Sequence, residues 1–309
     1  MMMNSSNLKV DRNFLLGAMW IFLGAILFST KAIIVKLAYR HGIDSISLLA
    51  LRMLFSLPFF VIIGLISRKK WTASDLKRKD YLVVLAAGIL GYYAASFFDF
   101  LGLKYVTAGI ERLVLYVYPT LVLLISAVFM KQRIRTIQIV ALLMTYVGVA
   151  IAFLDKAAFA GSSNFWLGVG LVFLAALTYA VYIALGGKYI PRLGTLRYTV
   201  WTMTAACLFV LAHHYAHHRL QLFHFSPEIY SLSLLMAAFA TVIPAFMISE
   251  GIRLVGSSNA AIIGSVGPIS TIILAYFFLG EAFGYFQLIG TIVVIVGVLW
   301  LSLSKKREN

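Results

Sequence analysis

The sequence predicts an all-α membrane protein of ten transmembrane helices, arranged as two inverted five-helix repeats. Three observations carry that reading. Of 309 residues, 62% are hydrophobic and only 12% are charged, against about a quarter charged in an ordinary soluble domain. Apolar runs of membrane-spanning length follow one another along the chain. The second half also repeats the first at a nearly constant offset.

The composition decides the solvent. With a mean hydropathy of +0.95, the chain has too little polar surface to cover a water-facing exterior, so lipid must contact much of it. A net charge of +15 would suit a nucleic-acid partner, but the Lys and Arg residues fall between apolar runs instead of along one amphipathic face, which excludes that partner. Cys207 is the single cysteine, so no internal disulfide can form. Residues 1–13 form a short polar tail, and the apolar run behind it is too long for a signal-peptide core, so it is expected to remain as the first span.

A helix needs about 20 apolar residues to cross the hydrocarbon core. On that criterion the expected spans are 14–39, 46–66, 81–103, 107–130 and 134–154, then 164–187, 195–213, 230–254, 257–279 and 283–302. A barrel would instead show alternating segments of about ten residues. Connections are mostly short, which leaves no room for an attached soluble domain. The repeats are placed at 14–154 and 164–303, with a basic tail at 304–309.

Loop charges set the orientation. With the N-terminus inside, the inner segments hold eighteen basic residues, among them Lys9, Arg12, the group Arg68, Lys69, Lys70, Lys77, Arg78 and Lys79, and the tail residues Lys305, Lys306 and Arg307. The outer segments hold four: Arg40, Lys104, Lys156 and Arg219. Both termini are therefore expected in the cytoplasm, with the protein in a bacterial-type inner membrane.

Sliding the chain on itself by 149 positions lays Gly102-Leu103-Lys104-Tyr105-Val106 over Gly251-Ile252-Arg253-Leu254-Val255. Pro119 then meets Pro268, Phe129 meets Phe278, and Gln138 meets Gln287, without a gap. A shift of 151 puts Phe14-Leu15-Leu16-Gly17 over Phe165-Trp166-Leu167-Gly168. Five helices is an odd number, so the second repeat enters the membrane from the opposite side. A pseudo-two-fold axis in the membrane plane gives two related ways to open. Secondary transporters use this symmetry, with substrate near the midplane between the repeats.

These aligned motifs, together with Leu279-Gly280-Glu281 and the arginine of Leu49-Ala50-Leu51-Arg52, resemble the drug/metabolite transporter superfamily, in particular its EamA-like ten-helix members. The resemblance covers about 14–302 and implies a secondary transporter of a small organic solute, an exporter or exchanger that needs no cofactor. Two features depart from the family pattern. Gln132 stands where many members carry the loop glutamate that Glu281 preserves, and Glu111-Arg112 occupies a stretch usually filled by small or apolar residues.

Ionisable groups inside spans are costly unless they face a cavity or a partner. Lys36 is close enough to a helix end to extend its amine to the interface. Lys31, Arg52, Asp99, Glu111, Arg112 and Glu250 need another account. One reading pairs them internally, Arg52 with Asp99 for example. The other has Lys31, Glu111 and Arg112 line a substrate cavity, with Arg52, Asp99 and Glu250 as gate or proton-coupling groups. Helical spacing adds Tyr116 to the face of Arg112, and Tyr179 and Tyr182 share a face of the sixth span. Asn259 and Ser265 lie in the ninth span, the symmetry mate of the fourth. Pro119 and Pro268 each remove a backbone hydrogen bond at equivalent places and are hinge candidates. Ala176, Ala180 and Ala184 recur every fourth residue, a spacing that lets helices pack closely. Lysine and arginine beside glutamate and tyrosines suit an amino acid or related carboxylate.

Two alternatives stay open. An intramembrane enzyme would need chemistry that no HExxH, GxSxG or P-loop motif signals. A metal-ion transporter could use the two i, i+4 pairs formed by His213, His214, His217 and His218, but no acidic or cysteine ligand lies beside them in sequence, so no metal site is assigned. The expected partners are a small-molecule substrate and the bilayer, with the chain a monomer or a homodimer.

Overall fold

The computed structural model describes residues 12–68, 71, 77–154, 164–219, 221–280 and 284–304. Helices dominate, and among the described residues there is no strand. In chain order they are α1 (Arg12–Tyr39), α2 (Ser45–Ser67), α3 (Arg78–Gly102), α4 (Ala108–Leu115 and Tyr118–Met130) and α5 (Thr136–Phe153). Then come α6 (Phe165–Leu193), α7 (Thr195–His218), α8 (Pro227–Val255), α9 (Ser257–Ile263 and Gly267–Leu279) and α10 (Tyr285–Ser304). Of these, α1, α2, α3, α6, α7 and α8 are long and apolar enough to cross a membrane. A helix falls on every expected span, but α6 and α7 run several residues further than expected. Hydropathy marks where the apolar window stops, whereas the backbone hydrogen-bond ladder continues into the polar interface.

Local signals explain the ends. Asp44 caps α2, its carboxylate accepting from the Ile46 and Ser47 amides at 2.9 and 3.0 Å, which satisfies two of the four donors a helix start leaves open. The second part of α4 ends on Lys131 at φ 54°, and the second part of α9 ends on Gly280 at φ 70°. These left-handed caps lie 149 positions apart.

The same offset relates three further irregularities. A π-helical turn at Ile89–Ala94 in α3 is matched by one at Ala238–Val242 in α8. The break in α4 after Leu115 is matched by the break in α9 after Ile263, where a 3₁₀ turn, Gly264–Val266, intervenes. Pro119 and Pro268 each sit at the start of the helical segment beyond the break. A proline there removes an amide that has no intrahelical partner anyway, so these residues start new segments; they do not kink a continuous helix.

Packing between the repeats is reciprocal. α1 packs on α8, and α6 packs on α3. A Cβ on Gly17 would lie 2.6 Å from the side chains of Leu254 and Val255. One on Gly168 would lie 2.8 and 2.9 Å from their symmetry mates Tyr105 and Val106. α2 pairs with α7 and α5 with α10, so each helix of a pair comes from a different repeat. Ala176, Ala180 and Ala184 are fully buried in this packing. The repeat partners Phe129 and Phe278 are 80% and 61% exposed, as a lipid-facing position requires.

Arg52 fixes the two π turns to each other. Its Nε donates to Thr241 Oγ1 inside the second π turn at 2.6 Å, and one terminal nitrogen donates to Ser96 just past the first at 3.1 Å. The Thr241 hydroxyl in turn donates to the Met236 carbonyl. The expected pairing of Arg52 with Asp99 is therefore not made, because Lys31 of α1 reaches Asp99 instead.

Among the described residues, close approach is most severe at Gly88, where a Cβ would meet the Thr202 carbonyl oxygen of α7 at 2.1 Å. Backbone cannot yield as a flexible side chain can. Gly88→Ala is expected to cost roughly 1–3 kcal/mol by forcing α3 and α7 apart, read as a lowered midpoint in thermal unfolding of the detergent-solubilised protein.

Candidate functional site

At the centre of the bundle, where α1, α4, α6, α8 and α9 meet, lies a narrow cavity of about 40 Å³. That holds a few waters and is far below the several hundred Å³ of an open ligand pocket. The two broken helices form much of its wall. Leu115, Tyr116 and Tyr118 come from the break in α4, and Ala260, Ala261, Gly264 and Gly267 from the break in α9. Tyr118 ties the breaks together, its hydroxyl donating to the Ala261 carbonyl at 3.0 Å. On the third side Phe28 of α1 stacks on Tyr179 of α6 at 6.0 Å and 10°. These rings are symmetry mates at the 151 offset, so the stack marks the pseudo-two-fold axis.

Against one end of the cavity sits a quartet of buried charges. Lys31 Nζ lies 2.6 Å from Asp99 Oδ2 and 3.9 Å from Glu111 Oε1. Arg112 Nε lies 3.5 Å from Glu111 Oε2. No side chain of the four is more than 5% exposed. Two cations and two carboxylates make the set neutral when all are ionised, which is what permits it inside a bilayer. The couplings are unequal. Lys31 and Asp99 touch, while both contacts of Glu111 exceed hydrogen-bonding distance.

Arg112 joins the quartet to the cavity. Its Nε donates to Thr271 of α9 at 2.9 Å, and a terminal nitrogen donates to the Phe28 carbonyl at 3.1 Å. Its guanidinium also lies 5.4 Å from the Phe28 ring centre, and the Lys31 ammonium lies 4.8 Å from the same centre, within the range of cation–π attraction. The Tyr116 hydroxyl, one turn along α4, is buried and makes no hydrogen bond among the described residues. The wall thus offers one guanidinium, one uncommitted hydroxyl and several aromatic faces.

The other sequence candidates distribute as follows. Arg112, Tyr116 and Tyr179 line the cavity. Lys31, Asp99 and Glu111 stand beside it as the quartet. Tyr182 lies deeper in α6, stacked on Tyr179 and Tyr198 and edge-on to Tyr92. Asn259 faces α5: it accepts from Gln138 Nε2 at 3.1 Å and donates to the Val255 carbonyl at 2.8 Å. The side chains of Ser265 and Pro268, and all of Glu281, lie outside the described residues. Glu250 is engaged elsewhere, accepting from Arg253 one turn on and from the Thr195 hydroxyl at 2.7 Å. Lys36 is half-buried near the end of α1.

The histidines are occupied locally. His213 Nδ1 is 3.1 Å from the Tyr93 hydroxyl, His214 Nε2 is 3.3 Å from Ser47 Oγ, and His218 Nε2 is 3.8 Å from Asp44. Among the described residues no group of three metal-ligating side chains converges.

Sequence reasoning missed Phe28, Tyr118 and Thr271. Phe28 could have been found as the partner of Tyr179 at the 151 offset. Nothing local singles out Thr271, whose role comes from the approach of α9 to α4.

Comparison with known proteins identifies the architecture. The chain matches the EamA-like transporter family twice, over residues 15–154 and 166–303. It is similar to an uncharacterized transporter of Bacillus subtilis, YcbK, at 29% identity over 95% of this chain and 96% of that one. It is also similar to an uncharacterized inner membrane transporter of Salmonella typhimurium, YicL, at 22% identity over 94% and 97%. A solved crystal structure superposes with a TM-score of 0.72 at 17% identity, covering 95% of this chain and 99% of the other, so the fold is shared. With two family matches that together span nearly its whole length, this chain belongs to the EamA-like transporter family and is a multi-pass membrane transporter, not an enzyme.

Proposed function

We propose that the protein moves an amino acid or a related small carboxylate across the inner membrane by alternating access, as an exporter or exchanger with both termini in the cytoplasm. The observation that carries this reading is Arg112. A buried guanidinium on the wall of a central cavity, beside the uncommitted Tyr116 hydroxyl, is a receptor for a carboxylate. The aromatic faces of Phe28, Tyr118 and Tyr179 suit the solute's apolar part. Lys31 is held by Asp99 and does not line the cavity, which favours Arg112 over Lys31 as the anion-binding group.

The cavity is closed to a metabolite in this conformation, as expected of an intermediate between outward and inward openings. The helix breaks next to it supply flexible points at symmetry-related positions. Counterflow in proteoliposomes loaded with labelled amino acids, organic acids and nucleotide sugars tests the proposal. Uptake of at least one carboxylate, lost on Arg112→Ala, is the expected result. Counterflow confined to cationic or uncharged solutes overturns the carboxylate assignment.

A further inference from the structure

A second site lies on the flank of the bundle, where α2, α3 and α7 enclose a lateral groove of about 1000 Å³. Each helix contributes a stripe at helical spacing. Val61, Gly64 and Leu65 come from α2, Leu82 and Leu85 from α3, and Trp201, Ala205 and Leu208 from α7. Each stripe ends in an arginine at the same end of the bundle. Arg68 follows Gly64 and Leu65 and lines the groove itself. Arg78 lies one turn before Leu82 on α3, and Arg197 one turn before Trp201 on α7.

The mouth is built from aromatic rings. Arg197 lies 4.5 Å from the ring centre of Trp201 and donates to the Tyr81 hydroxyl at 3.3 Å. Trp71 meets Trp201 edge-on at 6.1 Å. The indole N–H of Trp71 is a buried donor with no hydrogen-bond partner among the described residues. The nearest acid on α3, Asp80, is turned toward α6, where it accepts from the Tyr189 hydroxyl at 3.0 Å and faces Arg192.

From Arg78 to the far wall at Ile89 is eleven residues, roughly 16 Å of helix at 1.5 Å per residue. That is about half of the ~30 Å hydrocarbon core, the depth of one leaflet. An apolar channel one leaflet deep, ending in arginines and an unpaired tryptophan donor at the interface, has the dimensions and charge of a lipid site. We infer that this groove binds an acidic phospholipid, its acyl chain between α2, α3 and α7 and its phosphate at Arg68, Arg78 and the Trp71 N–H.

Native mass spectrometry of the full-length protein in detergent, titrated with phosphatidylglycerol and phosphatidylcholine at equal mole ratio, tests this without involving transport. The wild type should retain phosphatidylglycerol in preference by roughly tenfold or more, the range that two interfacial arginines supply. Arg68→Gln with Arg78→Gln should abolish the preference without moving the melting temperature, since both side chains are exposed. Ala205→Trp, which fills the groove, should remove binding of both lipids. Equal retention of the two lipids by the wild type, or an undiminished preference in the double variant, overturns the inference. So does a mass showing a second copy of the chain that Ala205→Trp dissociates.

Discussion

Asp99→Asn is expected to destabilise the protein by roughly 3–5 kcal/mol, because it leaves the Lys31 ammonium buried without its contacting anion. Lys31 is 3% exposed, and Asp99 Oδ2 is only 2.6 Å from its nitrogen. Glu111 is the remaining carboxylate within reach, but at 3.9 Å it is already shared with Arg112, and the quartet would carry a net positive charge. Glu111→Gln should cost less than Asp99→Asn, since both of its contacts lie beyond hydrogen-bonding distance. Replacing the tight pair together, as Lys31→Met with Asp99→Leu, should recover most of the stability, because two apolar side chains avoid the desolvation of two ions. Chemical unfolding in mixed micelles reads all four proteins. Equal losses for Asp99→Asn and Glu111→Gln would mean that the charges interact as a diffuse set, against the unequal geometry.

The stability of the quartet and its placement raise the question of why it occurs in one repeat only. At the offsets that relate the halves, Lys31 corresponds to Tyr182, Asp99 to Ile248, Glu111 to Ala260 and Arg112 to Ala261. At the position matching Lys31 the second repeat therefore carries Tyr182, packed against Tyr198 of its own repeat and Tyr92 of the first, where the first repeat carries an ion. A duplicated scaffold supplies equal backbone devices, namely the π turns, breaks and left-handed caps, and the side chains placed on them have diverged.

That division also explains what the sequence disclosed. Helices, repeat offset and symmetric prolines were legible because they depend on composition and on positions along one chain. The buried charges were legible as exceptions to an apolar background. Their partners were not. Lys31, Asp99 and Glu111 lie on three helices, and which of Lys31 or Arg52 meets Asp99 depends on helix rotation that no periodicity reveals. The π turns at 89–94 and 238–242 have no residue signature, yet they place Ser96 and Thr241 where Arg52 needs acceptors. Symmetry suggested that Asn259 would face the cavity. It faces Gln138 instead, and its neighbours Ala260 and Ala261 form the wall.

Arg112→Ala is expected to lower transport of a carboxylate substrate, as the ratio of maximal rate to half-saturating concentration, by two to three orders of magnitude. Removing one member of a buried, hydrogen-bonded charge pair costs about 2–5 kcal/mol, and each 1.4 kcal/mol is tenfold. Arg112→Lys keeps the charge but not the forked donor set that meets Thr271, the Phe28 carbonyl and a carboxylate together, so it should restore only part of the loss. Tyr116→Phe removes a single neutral donor, worth about 0.5–1.5 kcal/mol, and should reduce transport by no more than about tenfold. Thr271→Val leaves Arg112 in place without its α9 acceptor; a positioning role predicts a loss between those of Tyr116→Phe and Arg112→Ala. Initial rates in proteoliposomes at matched protein density give the four values. If Arg112→Ala transports as Tyr116→Phe does, the guanidinium contributes structure alone, and the solute must be recognised by the aromatic faces of Phe28, Tyr118 and Tyr179.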